Sequence, residues 1–507
     1  MGRSSMAVAL VSLATTGISA PVVAQEEARP PNVLLVIADD LNTRIGPYGG
    51  PIQTPNLDAL ASEGVTFERA YVQYPWCAPS RASFLTGMRP DTVGVRDLTT
   101  TVRQKNPGLV TLPQSFRLHG YFTARVGKIF HQGVPGGIGT DGLDDPASWD
   151  VAINPRGRDK DVEERLDNLT PGISLGTAMA YRADEGSDAE MTDGMVADEA
   201  IRLIEEHADR PFFIAAGFYR PHVPEVAPRK YFDLYRQEDI DLARETPSTI
   251  AGVLPIARDW DPDNFGMTDA EQRAMIHAYY AASTFVDAQV GRVLAALDRL
   301  QLKDDTIVVF LGDHGFMLGE HGQWAKNMLF EPSVRAPLII RVPGAKGNGN
   351  ASPRVVEFLD IYPTLLAAAG LPQNPDLEGQ SLTPLLERPD SLSDRVAHSQ
   401  VQGGRSIHSE RYRYTEWEDG KAGRELFDLK ADPLEHHNLA GEPGYAPLVD
   451  YFSGLVPERS AGKKPDLNLY DSDANCVILP RKHKNNEKYG CKTDVVPAAT
   501  GSNSMHP

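Results

Sequence analysis

Four runs of consecutive apolar residues stand out along the chain. Val33-Leu34-Leu35-Val36-Ile37 follows Asn32 and ends in Ala38-Asp39-Asp40. Residues 306–311 end in Gly312-Asp313-His314-Gly315, residues 211–217 precede Arg220-Pro221-His222, and residues 336–342 form the fourth run. Such runs, bounded by turn formers and free of polar alternation, predict strands buried on both faces of a parallel sheet. Between them, residues 56–64 and 271–300 repeat apolar side chains at three-to-four spacing, which predicts amphipathic helices with Asp287 and Gln289 on the other faces. Strands alternating with helices imply a mostly parallel sheet covered on both sides. Ligand groups in such sheets collect beyond the carboxyl ends of the strands. Asp39, Asp40, Asp313 and His314 fall there.

The texture changes after Leu371. Pro, Asp, Glu and Ser dominate residues 372–394, which read as a junction. Residues 411–417 alternate like an exposed antiparallel strand and residues 425–429 resemble another. From residue 457 onward large apolar residues are scarce apart from Val477-Ile478-Leu479. At the other end, Arg3 carries one positive charge, residues 6–24 are small and apolar, and Val22-Val23-Ala24 fits a cleavage site before Gln25. A membrane anchor is the alternative, but Thr15, Thr16, Gly17 and Pro21 break the run. The division expected is a signal peptide at 1–24, a main domain at 25–390, a C-terminal subdomain at 391–456 and a tail at 457–507. That predicts an exported protein, periplasmic or secreted, with no membrane span.

A chain of 507 residues accommodates one large α/β domain plus a smaller one, or two to three modest domains. Its 50 Lys plus Arg oppose 69 Asp plus Glu, so no global basic footprint for nucleic acid exists and no nucleic-acid partner is expected. An anionic substrate would need a local positive island within this negative field. Three cysteines are present, Cys77, Cys476 and Cys491. The last two, among polar residues, suit a disulfide in an oxidising compartment. Cys77 is left for reactive chemistry or plain burial.

The stretch Cys77-Ala78-Pro79-Ser80-Arg81, followed by Thr86-Gly87, resembles the signature of the type I, formylglycine-dependent sulfatases, C-x-P-S-R with T-G after four intervening residues, at all six fixed residues. In register with it run Gly127-Lys128-Ile129-Phe130-His131, Arg220-Pro221-His222-Val223-Pro224, Leu318-Gly319-Glu320-His321-Gly322 and Trp324-Ala325-Lys326. The resemblance covers about residues 30 to 440 and is most like the iduronate-2-sulfatase branch. It implies an alkaline-phosphatase-like α/β sandwich with a mostly parallel central sheet, plus a smaller C-terminal α+β subdomain carrying an antiparallel sheet. It also implies that a formylglycine-generating maturation enzyme converts Cys77 to an aldehyde. One oxygen of that aldehyde's hydrate attacks sulfur and displaces the substrate alcohol to form a sulfo-enzyme, and the second hydroxyl then gives up its proton and collapses to the aldehyde as sulfate is expelled.

The metal reading has two sources. Three carboxylates and an imidazole on one rim would repel or protonate without a cation between them. Oxygen-rich ligation suits Ca²⁺ first and Mg²⁺ next. The resemblance assigns Ca²⁺ to Asp39, Asp40, Asp313, His314 and the oxygen derived from Cys77; His314 stands where many relatives carry Asn, which leaves Mn²⁺ open. It further implies that Arg81 holds the formylglycine hydrate, that Lys128 and Lys326 grip sulfate oxygens, and that His131 is a base. His222 and Lys326 flank the leaving oxygen as general acids. His321 is a candidate substrate contact, whereas His277, His436 and His437 read as structural.

The substrate expected is a sulfated oligosaccharide or polysaccharide bearing 2-O-sulfated uronic acid, whose carboxylate Arg405, Arg411 or Arg413 would pair. Two rivals remain open: a phosphonate monoester or phosphodiester hydrolase of the same fold, and a non-catalytic glycan-binding protein in which Cys77 stays a thiol.

Overall fold

The computed structural model describes residues 1–2, 29–243, 245–456, 469–471 and 476–478. The first apolar run is buried throughout because it forms an interior strand of an eight-stranded sheet. In chain order the strands are β1 (Asn32–Ala38), β2 (Val65–Tyr71), β3 (Phe122–Gly127), β4 (Val151–Ile153), β5 (Phe212–Phe218), β6 (Thr306–Gly312), β7 (Leu338–Arg341) and β8 (Asn350–Glu357). They lie in the order β8-β2-β7-β6-β1-β5-β3-β4. Leu34 and Val36 of β1 point to one face and pack with helices α4 (Thr192–Glu206) and α5 (Asp269–Arg299). Val33, Leu35 and Ile37 point to the other and meet α2 (Cys77–Thr86), α3 (Leu112–Leu118) and α6 (Ile361–Ala368). Each fully buried Val, Leu or Ile contributes about 1.5–3 kcal/mol.

The sheet is mostly parallel, with one correction to the sequence reading. The fourth run does not join it as a parallel strand: β7 pairs antiparallel with both β2 and β6. A parallel return needs a crossover that travels the length of the sheet. Residues 313–337 contain a short hairpin, the 3₁₀ turn Glu320–Gly322 and the four-residue helix Glu331–Val334, none of which travels the length of the sheet. The chain therefore re-enters from the rim it has just left.

A second correction concerns α5, where Asp287 and Gln289 are buried rather than solvated. Asp287 accepts hydrogen bonds from the backbone N–H groups of Asn56 (3.2 Å) and Leu57 (2.8 Å) at the start of α1 (Pro55–Ala61). Helix starts leave such donors unpaired, so a carboxylate from a neighbouring helix serves as their cap.

Strands β9 (Ala397–Val401), β10 (Gly404–His408), β11 (Tyr412–Trp417) and β12 (Gly423–Asp428) form a separate antiparallel sheet in sequence order. Phe452 and Val449 of the helix Ala446–Ser453 pack on its Ile407, Tyr414 and Leu426. The sheet docks on the larger one through Ser399 Oγ, which donates to the Val72 carbonyl at 2.6 Å. No helix among the described residues is long and apolar enough to cross a membrane. The signal-peptide segment beyond residue 2 and the Cys476–Cys491 pairing lie outside the described residues.

Candidate active site

Four adjacent strands, β6-β1-β5-β3, run parallel and release their chains on the same rim. Ala38 is in register with Gly312 on one side and Phe218 on the other, so Asp39-Asp40 and Asp313-His314 emerge side by side. Gly127 is in register with Gly217, which brings Lys128 to His131 next to Tyr219 to His222. The two strands approach closely there; a Cβ on Gly127, which has φ +70°, would lie 2.2 Å from the Gly217 carbonyl oxygen. Asp40 also occupies the left-handed region (φ 64°). Its N–H donates to Asp313 Oδ1 at 3.0 Å and its carbonyl accepts from the Tyr279 hydroxyl at 2.7 Å.

Cys77 opens helix α2, every residue of which is buried. The start of a helix favours negative charge, so an anion at this side chain is stabilised by its position alone. Lys326 Nζ lies 3.1 Å from Cys77 Sγ and His314 Nε2 lies 3.3 Å away. Burial pushes the thiol up, but Lys128, Lys326 and His314 outweigh it and hold it well below its ordinary value. Four residues on, one helical turn, Arg81 reaches Asp313 Oδ2 at 2.8 Å and Asp39 Oδ1 at 3.2 Å. Its remaining donors meet the carbonyls of Lys128 and Ile129. Arg81 therefore ties together the ends of β1, β3 and β6. Lys128 Nζ donates to Asp39 Oδ2 at 2.6 Å.

The carboxylates of Asp39, Asp40 and Asp313 are fully buried. Burial raises Asp39, yet Lys128, His222 and Arg81 together hold it below the usual carboxylate range. Asp313 is pushed up to about 6 by burial, against the pull of His314 and Arg81. Asp40 Oδ2 is buried with no hydrogen-bond partner, and His222 Nε2 stands 3.8 Å away, beyond bonding reach. Ligand atoms of Asp39, Asp40, Cys77 and His222 lie within 4.8 Å of one another, as do those of Asp39, Cys77, Asp313 and His314. Asp40 Oδ1 is engaged by Lys326, but the orphaned Oδ2 inside this donor set fits a divalent cation, since a buried polar atom left without a partner is costly.

Above the carboxylates opens a cavity of about 500 Å³. Cys77, Asp40, His131, His222 and Lys326 line it, with Trp76 and Trp260 among its walls. Burial lowers the His131 imidazole below its ordinary value, against a hydrogen bond with Cys77 that raises it. Burial also opposes the charge on Lys326, but Asp40 and Cys77 hold its ammonium well above the ordinary lysine range.

The four expected substrate contacts do not join this cavity. His321 is buried against Phe330, with ring centroids 4.1 Å apart. Arg405 pairs with Asp91 and lines a separate pocket with Arg89 and His398. Arg411 lies on the surface paired with Asp428. Arg413 is buried between Glu425 and Glu435. Each guanidinium is already neutralised where it stands. Sequence reasoning also missed Tyr279 and Ser80, whose hydroxyl donates to the Asp313 carbonyl. Ser80 was visible inside the C-x-P-S-R motif, whereas Tyr279 reads as one more apolar position of α5.

The family model described as Sulfatase matches residues 31–371, and one described as N-sulphoglucosamine sulphohydrolase, C-terminal, matches residues 319–458. A sulfatase of Formosa agariphila is 31% identical over 90% of this chain and 90% of its own. Iduronate 2-sulfatase of Homo sapiens is 32% identical over 84% of this chain and 93% of its own. The solved phosphonate monoester hydrolase of Agrobacterium radiobacter superposes with a TM-score of 0.70 at 26% identity, covering 84% of this chain and 94% of that one. Taken with the strand-end constellation around Cys77, these matches establish that the chain belongs to the sulfatase family of sulfate-ester hydrolases.

Proposed function

We propose that this protein is exported to the periplasm or the medium and removes sulfate from a sulfated carbohydrate, using an oxygen nucleophile at Cys77 and one divalent cation, Ca²⁺ by choice. The observation that carries the reading is the convergence of Cys77, Lys326 and His314 with three buried carboxylates at the floor of one cavity. Asp39, Asp40 and Asp313 would hold the cation, with His314 beside them; all but one of these donors are oxygens, which suits Ca²⁺ better than Zn²⁺. When Cys77 is converted to formylglycine, the hydrated aldehyde supplies an oxygen nucleophile where the thiol now stands.

The remaining chemistry belongs to the side chains. Lys326, within 3.1 Å of the Cys77 side chain, is placed to meet sulfate oxygens as their charge grows. Lys128 neutralises Asp39 and steadies the end of β3. His131, kept neutral by burial, can take a proton from the group at Cys77. His222 donates its Nδ1–H to the Val223 carbonyl at 2.6 Å, which leaves Nε2, when it too carries a proton, as the nitrogen that can protonate the leaving oxygen.

The finer reading is a 2-O-sulfated uronic acid, supported by the likeness to human iduronate 2-sulfatase. A panel of oligosaccharides sulfated at single positions tests it; preference for 6-O-sulfated amino sugars overturns it and leaves the sulfatase assignment standing. The fold likeness to a phosphonate monoester hydrolase favours a second reading, in which phosphonate esters are the better substrates. Sulfate and phosphonate esters of one phenol, compared by kcat/KM, separate the two.

A further inference from the structure

Away from the cavity, three residues that the sulfatase chemistry does not use come together from distant parts of the chain. Glu245 precedes α5, His321 lies in the loop that leads to Lys326, and His436 follows the C-terminal sheet. One ring nitrogen of each histidine and one carboxylate oxygen lie within 4.8 Å of one another. His436 Nε2 stands 3.0 Å from Glu245 Oε1. His321 is 1% exposed, and its Nδ1 is buried with no hydrogen-bond partner among the described residues. Its ring is fixed from two sides, stacked on Phe330 and edge-on to His436 at 5.7 Å. A buried polar nitrogen left unpaired calls for an explanation, such as an ion.

We propose that Glu245, His321 and His436 form a second metal site, sharing no residue with the one at Cys77, that takes a transition-metal ion such as Zn²⁺. Two imidazoles and one carboxylate are a donor set for Zn²⁺, whereas Ca²⁺ requires six or more oxygens. Ligands about 2.0–2.1 Å from a tetrahedral ion sit roughly 3.4 Å apart, so the cluster closes with small side-chain movements. The ion would clamp the C-terminal subdomain to the loop that carries Lys326. It also revises the reading of His436 as plain packing and of His321 as a substrate contact.

The test uses the full chain, stripped with chelator, dialysed against Zn²⁺ and assayed for bound metal by mass spectrometry. Because Cys77 and His314 can themselves hold Zn²⁺, the starting protein carries Cys77→Ala and His314→Ala together. It is expected to retain one equivalent of Zn²⁺, which His436→Ala or Glu245→Gln added to it removes. Co²⁺ in the same proteins should give the visible absorption of a four-coordinate ion, lost in the same two variants. Zn²⁺ should raise the melting temperature only where the cluster is intact. Glu245→Gln preserves shape and His436 is partly exposed, and circular dichroism checks that both variants fold. The absence of a bound equivalent in the starting protein, or undiminished retention after His436→Ala, overturns the proposal.

Discussion

Replacing Lys326 by alanine removes the ammonium that lies 3.1 Å from the Cys77 side chain and also contacts Asp40. The group is only 11% exposed, so water does not readily take its place. A preorganised donor aimed at developing charge in such a site is worth about 2.7–4 kcal/mol, or roughly 10²–10³ in kcat. Lys326→Ala should therefore lose about that factor in kcat with a smaller change in KM. Two further measurements show where the charge acts. If Lys326 serves the leaving oxygen, the loss shrinks for nitrophenyl sulfate, whose leaving group needs little protonation; if it holds sulfate oxygens, the loss is equal for aryl and sugar sulfates. Lys326→Arg keeps the charge but spreads it over a planar fork, and it should recover only part of the rate. Without bound cation the variant should also be less stable by about 3 kcal/mol, because Asp40 stays buried with one partner fewer. Full occupancy of the metal site should restore much of that. A purified, folded Lys326→Ala protein with kcat within about fivefold of the parent would refute the reasoning.

The other predictions concern the nucleophile, the cation and pH. Cys77→Ala should abolish turnover while leaving the melting temperature close to the parent, and peptide mass spectrometry at residue 77 of the active protein should find the aldehyde. Chelation should remove activity and Ca²⁺ should restore it better than Zn²⁺; Asp313→Asn should raise the Ca²⁺ concentration needed, read from activity titrations. His398 is pushed down to about 4 by burial from an ordinary 6.5. A depressed base contributes stability that is complete above about pH 6.5 and is lost as pH falls toward 4. The melting temperature should drop across that window, and less steeply in His398→Gln.

The chemical centre was legible because its parts are local in sequence and placed by strand register. Cys77 and Arg81 share one helical turn, and Asp39-Asp40 and Asp313-His314 each follow an apolar run by one residue. A parallel pair in register then brings those run ends together without any loop having to be guessed. What stayed hidden depends on contacts made by residues far apart. Nothing local in α5 marks Asp287 as the cap of another helix, and the reversal of β7 follows from how residues 313–337 are used on the rim. The alternation in residues 411–417 revealed the strand but not its neighbours; Arg413 faces Glu425 and Glu435, which lie 12 and 22 residues further along.

The same distinction separates the reaction from its specificity. The groups at Cys77 are fixed by four neighbouring strands and would serve any sulfate ester that reaches them. Choice of sugar falls to the walls of the cavity, which come from loops. Among the described residues that line it, Lys326 is the one side chain with a fixed positive charge, and it is already engaged with Asp40. A uronate carboxylate entering beside the sulfate would find no guanidinium fork of the kind that contributes about 1.5–3 kcal/mol through charged hydrogen bonds. Discrimination in favour of uronates then falls to backbone donors and to the neutral hydroxyl and amide groups of the wall, such as Thr177 and Asn327. Selectivity for an ionised carboxylate should therefore not depend on a charged side chain of the wall, and Thr177→Val should reduce it in a kcat/KM comparison of uronate and neutral sugar sulfates; unchanged selectivity in that variant and in its Asn327→Ala counterpart would overturn the argument.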